Sequence, residues 1–135
     1  MKLVIDASFI ASLLLPDEAA EVSAARLKQI EDDGAAAPAL WQLEVANMLL
    51  TALRRKRIDA SQFVRLLEAI DSLPVTLQAA LTAKQRGDLL HLARKHELTA
   101  YDAAYLELAL RLDLPLATFD DRLIRAARAE GAKTP

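Results

Sequence analysis

Two acidic residues stand where short apolar runs end, near opposite ends of the chain. Leu3-Val4-Ile5 leads into Asp6, and the apolar segment that begins at Leu116 leads into Asp120. Such runs are typical of strands buried on both faces of a parallel sheet, and the residues that follow these strands project into the crevice at its carboxyl edge. The sequence therefore predicts that two acids from distant segments meet in one crevice.

Two further acids, Glu44 and Asp102, lie inside apolar helical patterns, near the predicted start of each helix. Four carboxylates in one crevice would repel one another and raise each other's pKa unless a cation intervened. Oxygen ligands without cysteine favour Mg²⁺ or Mn²⁺ over zinc, and these ions activate water and neutralise charge when a phosphodiester is attacked. The acids therefore predict a Mg²⁺ or Mn²⁺ site suited to phosphodiester hydrolysis.

The elements that must position these acids alternate along the chain. Apolar runs predict strands at 3–5, 75–77 and 114–118, with a weaker signal at 35–38. Helical spacing with Pro and Gly boundaries predicts helices at 9–15, 17–33, 38–57, 59–73, 82–97, 99–112 and 120–130. This alternation favours an α/β fold with a parallel sheet between layers of helices, and residues 132–134 leave open a further edge strand.

Composition limits the class of protein. The 135 residues fit one domain, 1–135, and the net charge of -2 means that any RNA contact must come from a local basic patch. The cluster Arg54, Arg55, Lys56 and Arg57 is the candidate, although a solvated helix end explains it equally simply. The absence of cysteine suits a reducing compartment, so we expect a cytoplasmic protein. Asp6 interrupts the apolar start, which opposes membrane insertion.

Four segments of the chain carry a family resemblance. They occur in order over nearly the whole sequence: Leu-Val-Ile-Asp-Ala-Ser at the start, Leu-Glu-Val-Ala-Asn-Met-Leu before the basic cluster, Tyr-Asp-Ala-Ala-Tyr around Asp102, and Leu-Ala-Thr-Phe-Asp-Asp-Arg-Leu around Asp120. Together they resemble the motifs of PIN-domain ribonucleases, in particular the VapC-type toxins of toxin–antitoxin systems.

This resemblance implies both a fold and a site. The fold would be a PIN-like three-layer sandwich, with a central parallel sheet of four to five short strands flanked by helices. The catalytic acids would be Asp6, Glu44, Asp102 and Asp120, with Asp6, Asp102 and Asp120 as metal ligands. Ser8 and Thr118 would lie close to the metal or its waters. The family's toxins are usually homodimers that cut RNA until a cognate antitoxin blocks the site.

Simpler explanations remain open for several of these residues. Asp6 could cap the following helix, and Thr99 with Asp102 resembles a capping box. Glu44 alone would pass as a solvated acid in a first helical turn. Asp121 is adjacent to Asp120 and could also ligate, although the spacing from Thr118 favours Asp120.

Helical spacing also predicts a core or dimer stripe, and we expect two histidines at the surface. The stripe comprises Tyr101, Tyr105, Leu108 and Leu112, and the histidines are His91 and His96. Two other functions remain alternatives. A non-catalytic PIN-fold interaction module would keep the fold with incidental acids, and a phosphatase-type hydrolase would use Asp6 as phosphoryl acceptor. The latter lacks the second acid of an Asp-x-Asp motif.

Overall fold

The computed structural model describes residues 2–15 and 20–135 of the chain. Four strands form one parallel sheet in the order β3-β2-β1-β4. The strands are β1 (Val4–Ile5), β2 (Ala35–Pro38), β3 (Val75–Gln78) and β4 (Leu116–Ala117). The helices are α1 (Ala7–Leu14), α2 (Ala20–Asp33), α3 (Trp41–Arg54), α4 (Ala60–Asp71), α5 (Ala83–His96), α6 (Ala100–Leu112) and α7 (Asp121–Ala129). This architecture confirms the predicted α/β fold with a four-stranded parallel sheet.

The central strands are short and fully buried. Val4 of β1 aligns with Ala36 on one side and Leu116 on the other, and Ile5 aligns with Ala117. All five of these side chains have no exposed surface, as expected for strands covered on both faces. Because β1 and β4 are parallel neighbours, the residues that follow them emerge at the same edge of the sheet.

Small residues allow α6 to lie close to the sheet. This helix packs against β1, β2 and β4. It contributes Ala103, Ala104 and Ala109, which are all buried, against the equally buried alanines of β2. The close approach places the first turn of α6 beside the carboxyl edge of the sheet, where Asp6 also lies.

The last residues do not form the additional edge strand that was left open. The backbone N–H of Leu116 donates to the carbonyl of Lys133 at 2.8 Å, so the C-terminal segment contacts β4 through a hydrogen bond without extending the ladder. Residues 17–19 of the predicted helix 17–33 lie outside the described residues. Within the described ranges, no helix is long and apolar enough to cross a membrane.

Candidate active site

Asp6 lies between β1 and α1 and is held by three donors. It is the N-cap of α1, and its Oδ1 accepts from the backbone N–H of Phe9 at 2.9 Å and from Ser8 Oγ at 2.8 Å. Its Oδ2 accepts from the hydroxyl of Thr118. The capping explanation is thus correct, but it accounts for only one of these bonds. The side chain is buried with a fixed orientation, and Oδ2 keeps one lone-pair direction for a further partner.

The same two hydroxyl groups connect Asp6 to the segment after β4. Ser8 Oγ accepts from the backbone N–H of Phe119 at 3.2 Å, and Thr118 Oγ1 accepts from the backbone N–H of Asp120 at 3.0 Å. Asp120 is the N-cap of α7, with Oδ1 accepting from a backbone N–H at 3.0 Å, and its other oxygen accepts none of the hydrogen bonds described here. The network fixes the position of Asp120 relative to Asp6, although 114 residues separate them in sequence.

Glu44 lies in the first turn of α3 and is bonded to α6. The buried hydroxyl of Tyr105 donates to Glu44 Oε1. Glu44 itself is half-buried, so it is not the fully solvated acid that its position alone would suggest. The bond engages Oε1 of the carboxylate, and Oε2 takes no part in it.

Asp102 occupies the first turn of α6. The hydroxyl of Thr99 caps this helix by accepting from the backbone N–H of Asp102 at 3.1 Å. The reciprocal bond that would complete a capping box is not formed, whereas α4 and α5 both begin with complete boxes. The side chain of Asp102 instead interacts with the hydroxyl of Thr99, a contact that lowers the pKa of Asp102 against the effect of burial.

The four carboxylates are linked electrostatically. Burial raises the pKa of Asp6, and the charge of Asp102 raises it further against the hydrogen bonds from Thr118, Phe9 and Ser8. Burial also raises the pKa of Glu44, with additional repulsion from Asp102 and Asp6. The pKa of Asp102 is raised by burial and then by the charge of Asp120. The acids therefore form one cluster at the carboxyl edge of the sheet that disfavours its own negative charge.

Comparison with known proteins agrees with this geometry. The profile of the PIN domain matches residues 3–129. The chain belongs to the PIN-domain family. It is 35% identical over 123 residues to the Ribonuclease VapC3 of Pyrobaculum aerophilum, covering 91% of this chain and 92% of that protein. It is 34% identical over 90 residues to the Ribonuclease VapC1 of Mycobacterium tuberculosis, covering 67% of this chain and 65% of that protein. These matches confirm the VapC-type resemblance.

Solved structures show the same PIN fold. PAE2754 from Pyrobaculum aerophilum superimposes with a TM-score of 0.72 at 26% identity, over 99% of this chain and 83% of that one. FitAcB from Neisseria gonorrhoeae gives a TM-score of 0.64 at 18% identity, over 98% of this chain and 95% of that one. The latter likeness concerns the fold alone.

The donor set of this PIN domain fits a hard divalent cation. Carboxylate oxygens are the ligands that Mg²⁺ and Mn²⁺ prefer, and a cation would offset the burial and the mutual repulsion that raise these pKa values. Within residues 2–15 and 20–135, however, no three acidic or histidine side chains converge into a ready-made metal site. Asp6 is already oriented by its hydrogen bonds from Ser8, Phe9 and Thr118.

The basic cluster lies at the other end of the helix that carries Glu44. Arg54 ends α3, Arg55 follows as its C-cap, and all four residues of the cluster are exposed. Ten residues of helix separate Glu44 from Arg54, which is about 15 Å along the axis. The structure therefore does not place this cluster among the acids.

Tyr105 is the site residue that the sequence did not identify as such. It was assigned to a packing stripe, and it is indeed buried, but its hydroxyl binds Glu44. Its spacing of three residues from Asp102, one helical turn, was the available signal. Tyr101 of the same stripe is 66% exposed, so it lies outside the core, and the dimer alternative stays a prediction for it. The expectation that His96 lies at the surface was wrong, because its side chain is mostly buried, with Nε2 3.2 Å from Glu130 Oε1.

Proposed function

We propose that this PIN-domain protein is a VapC-type endoribonuclease toxin that hydrolyses RNA phosphodiester bonds with Mg²⁺ or Mn²⁺. The observation that carries the proposal is the cluster of four interacting carboxylates at the carboxyl edge of the sheet. The names of the relatives, Ribonuclease VapC3 and Ribonuclease VapC1, support the same activity.

In this proposal each acid has a separate role. Asp6, Asp102 and Asp120 would hold the cation, which supplies charge neutralisation and Lewis-acid activation when bound. Glu44, whose Oε1 is held by Tyr105, would accept the proton of the attacking water at Oε2. The water oxygen bonds to phosphorus while the bond from phosphorus to the 3′ oxygen breaks, so the products carry 5′-phosphate and 3′-hydroxyl ends. Ser8 and Thr118 would keep Asp6 oriented throughout.

The proposed toxin acts in the cytoplasm as a homodimer and is inhibited by a cognate antitoxin. Because the acid cluster disfavours its own charge, a partner that places an Arg or Lys against it would gain electrostatic complementarity. We expect inhibition by such a partner to disappear when that basic residue is replaced by Ala.

The direct test is incubation of the purified protein with total cellular RNA in Mg²⁺, Mn²⁺ or EDTA, with mapping of the new 5′ ends. Asp6→Asn removes a charge from the site, and Asp32→Asn is the matched control on exposed helix surface. We expect metal-dependent cuts at few positions with wild type and Asp32→Asn, and none with Asp6→Asn.

Other outcomes discriminate between the alternatives. Cyclic-phosphate or 3′-phosphate ends would contradict hydrolysis by water. Failure to cut RNA together with failure to bind Mn²⁺ in calorimetry would favour the non-catalytic interaction module. Formation of a phospho-aspartate from a small phosphodonor would instead favour the phosphatase alternative.

A further inference from the structure

Glu107 is a buried carboxylate with no role in the acid cluster. It lies in the middle of α6 and is 4% exposed. Its Oε1 accepts from Arg111 Nε at 2.7 Å and its Oε2 accepts from Arg111 Nη2 at 3.3 Å. The Arg111 side chain is 29% exposed, so only the carboxylate of the pair is buried. A buried carboxylate is costly to desolvate even when it is paired, so Glu107 invites a functional explanation.

The pair leaves part of the arginine available. A guanidinium group has five N–H donors in a planar fork, and Glu107 occupies two of them. Because both carboxylate oxygens hold the same arginine, the plane of the fork is fixed before any ligand arrives. Arg111 thus presents three remaining donors with little orientational freedom.

The Glu107–Arg111 pair lines two cavities. One cavity, of about 190 Å³, is lined by Leu40, Gln78, Leu81 and Leu108 together with the pair. The other, of about 520 Å³, lies between α5 and α6 and is lined by Leu92 and Leu110 with polar residues at its rim. We refer to the first as the aliphatic cavity.

The aliphatic cavity lies beside the acid cluster. Leu40 precedes α3, and its carbonyl accepts from the backbone N–H of Glu44 at 3.0 Å. Pro38 and Gln78, the last residues of β2 and β3, also line the cavity, so it opens at the same carboxyl edge of the sheet as the acids. Arg111 lies nine residues beyond Asp102, about 14 Å along α6 and on its opposite face. A nucleotide strand that extends from the acids along this edge of the sheet would reach the cavity.

The chemistry of the cavity suits a base better than a phosphate. Its wall is mainly aliphatic, and Glu107 neutralises the charge of Arg111, so a second anion would be desolvated without a free counter-charge. A flat neutral group with two adjacent acceptors would match the fork. Guanine offers this pair in N7 and O6, whereas adenine offers one acceptor and one donor.

We propose that the aliphatic cavity, with the Glu107–Arg111 pair at its wall, is a base subsite that reads an unpaired guanine on the strand that leads away from the scissile phosphate. This inference rests on the proposed ribonuclease function. Single-stranded RNA supplies such a base, because unstacked bases in loops can be inserted into protein pockets.

The test measures binding rather than cutting, so that it remains informative if the chain is not a nuclease. In an Asp6→Asn background, fluorescence anisotropy would compare short single-stranded RNAs that differ only in carrying one G, A, C or U. We expect the G-containing oligonucleotide to bind best, and Arg111→Lys to reduce its preference over A by about fivefold or more. Arg86→Lys, on the exposed surface of α5, is the matched control.

A second variant guards against misfolding. Arg111→Lys could leave Glu107 poorly paired, so Glu107→Leu/Arg111→Leu removes both charges and leaves no unpaired buried group. It should lose the same preference in the Asp6→Asn background, and in a chain that keeps Asp6 it should retain Mn²⁺ binding.

Three results would overturn the inference. Equal weakening for all four RNAs would indicate a phosphate contact. An unchanged preference for G would exclude Arg111 as its reader. If the Asp6→Asn protein bound all four RNAs equally well, the cavity would not be a base subsite, and a protein partner would be its expected occupant.

Discussion

The hydroxyl group of Tyr105 holds the carboxylate of Glu44 in one orientation. We expect Tyr105→Phe to lower kcat about tenfold with little change in KM, because Glu44 would lose the donor that orients Oε1. The aromatic ring remains, so the free energy of unfolding should change by only about 1 kcal/mol. Steady-state cleavage of a short RNA and chemical denaturation would measure both quantities.

The same helix provides the control for this variant. Tyr101 is 66% exposed, and Tyr101→Phe removes an equivalent hydroxyl one turn earlier. Equal kcat values for the two variants would argue against positioning of Glu44 by Tyr105.

The acid cluster should also make stability depend on pH. Asp6, Glu44 and Asp102 have pKa values above those of the unfolded chain, so the folded protein binds more protons than the unfolded one in the window just above pH 4. The metal-free protein should therefore lose stability as pH rises through this window towards the raised pKa values. Thermal unfolding in EDTA from pH 4.5 to 7.5 would measure the effect.

Asp102→Asn tests the origin of this dependence. It removes a charge that repels both Asp6 and Glu44, so the variant should lose less stability than wild type across the same pH range. Asp59→Asn, at an exposed helix cap, is the control. In saturating Mg²⁺ the wild type should instead lose less stability than Asp102→Asn, since only the native site would benefit fully from the cation.

The sequence was sufficient for the candidate acids but not for their partners. Asp6 and Asp120 could be predicted to meet because each follows a buried parallel strand. The bond between Tyr105 and Glu44 joins helices whose relative rotation depends on packing, and it spans 61 residues. Glu107 was likewise hidden, because an acid four residues before an arginine predicts an ordinary surface pair on a helix.

At the scale of elements, boundaries followed local chemistry and weak strands depended on packing. The helix predicted over 82–97 was observed as Ala83–His96, since Thr82 and Gln85 form a complete capping box. The strand Ala35–Pro38 has little intrinsic strand preference and forms because β1 and β3 pair with it on either side while α6 covers it. Propensity alone could not have supplied that environment.

Helix α5 contains a glycine whose replacement should increase the stability of the protein. Gly87 lies within the helix, and an added Cβ would meet no atom within 4 Å. Gly87→Ala should therefore raise the free energy of unfolding by about 0.5 to 1 kcal/mol, because the unfolded chain loses conformational freedom without a clash in the folded one. Chemical denaturation would measure this gain.

Gly131 provides the opposite case. It also has open space around it, but its φ of +86° strains any side-chain-bearing residue. Gly131→Ala should lower stability where Gly87→Ala raises it. A loss in both variants would indicate that the surface of α5 is covered in the assembled protein.

At the scale of the whole molecule, the proposed function requires an acidic protein to bind a polyanion. The net charge of -2 gives no overall attraction to RNA, so attraction must be local. Helix α3 has the acids near its first turn and the basic cluster at its other end, about 15 Å away. In the proposed ribonuclease, this arrangement would let one helix present an acidic site to the reacting phosphate and a basic surface to the strand beyond it.

The salt dependence of RNA binding would reveal whether that surface is used. Each phosphate neutralised on single-stranded RNA contributes about 0.7 to the slope of log Kd against log salt concentration. Arg54→Gln/Arg55→Gln should therefore reduce the slope by about 1.4 and weaken all RNA sequences alike, if each residue contacts one phosphate. Arg86→Gln/Arg94→Gln makes the same charge change on the exposed surface of α5 and should leave the slope nearly unchanged. Equal slopes for both double variants would show that the cluster at the end of α3 is only a solvated helix terminus.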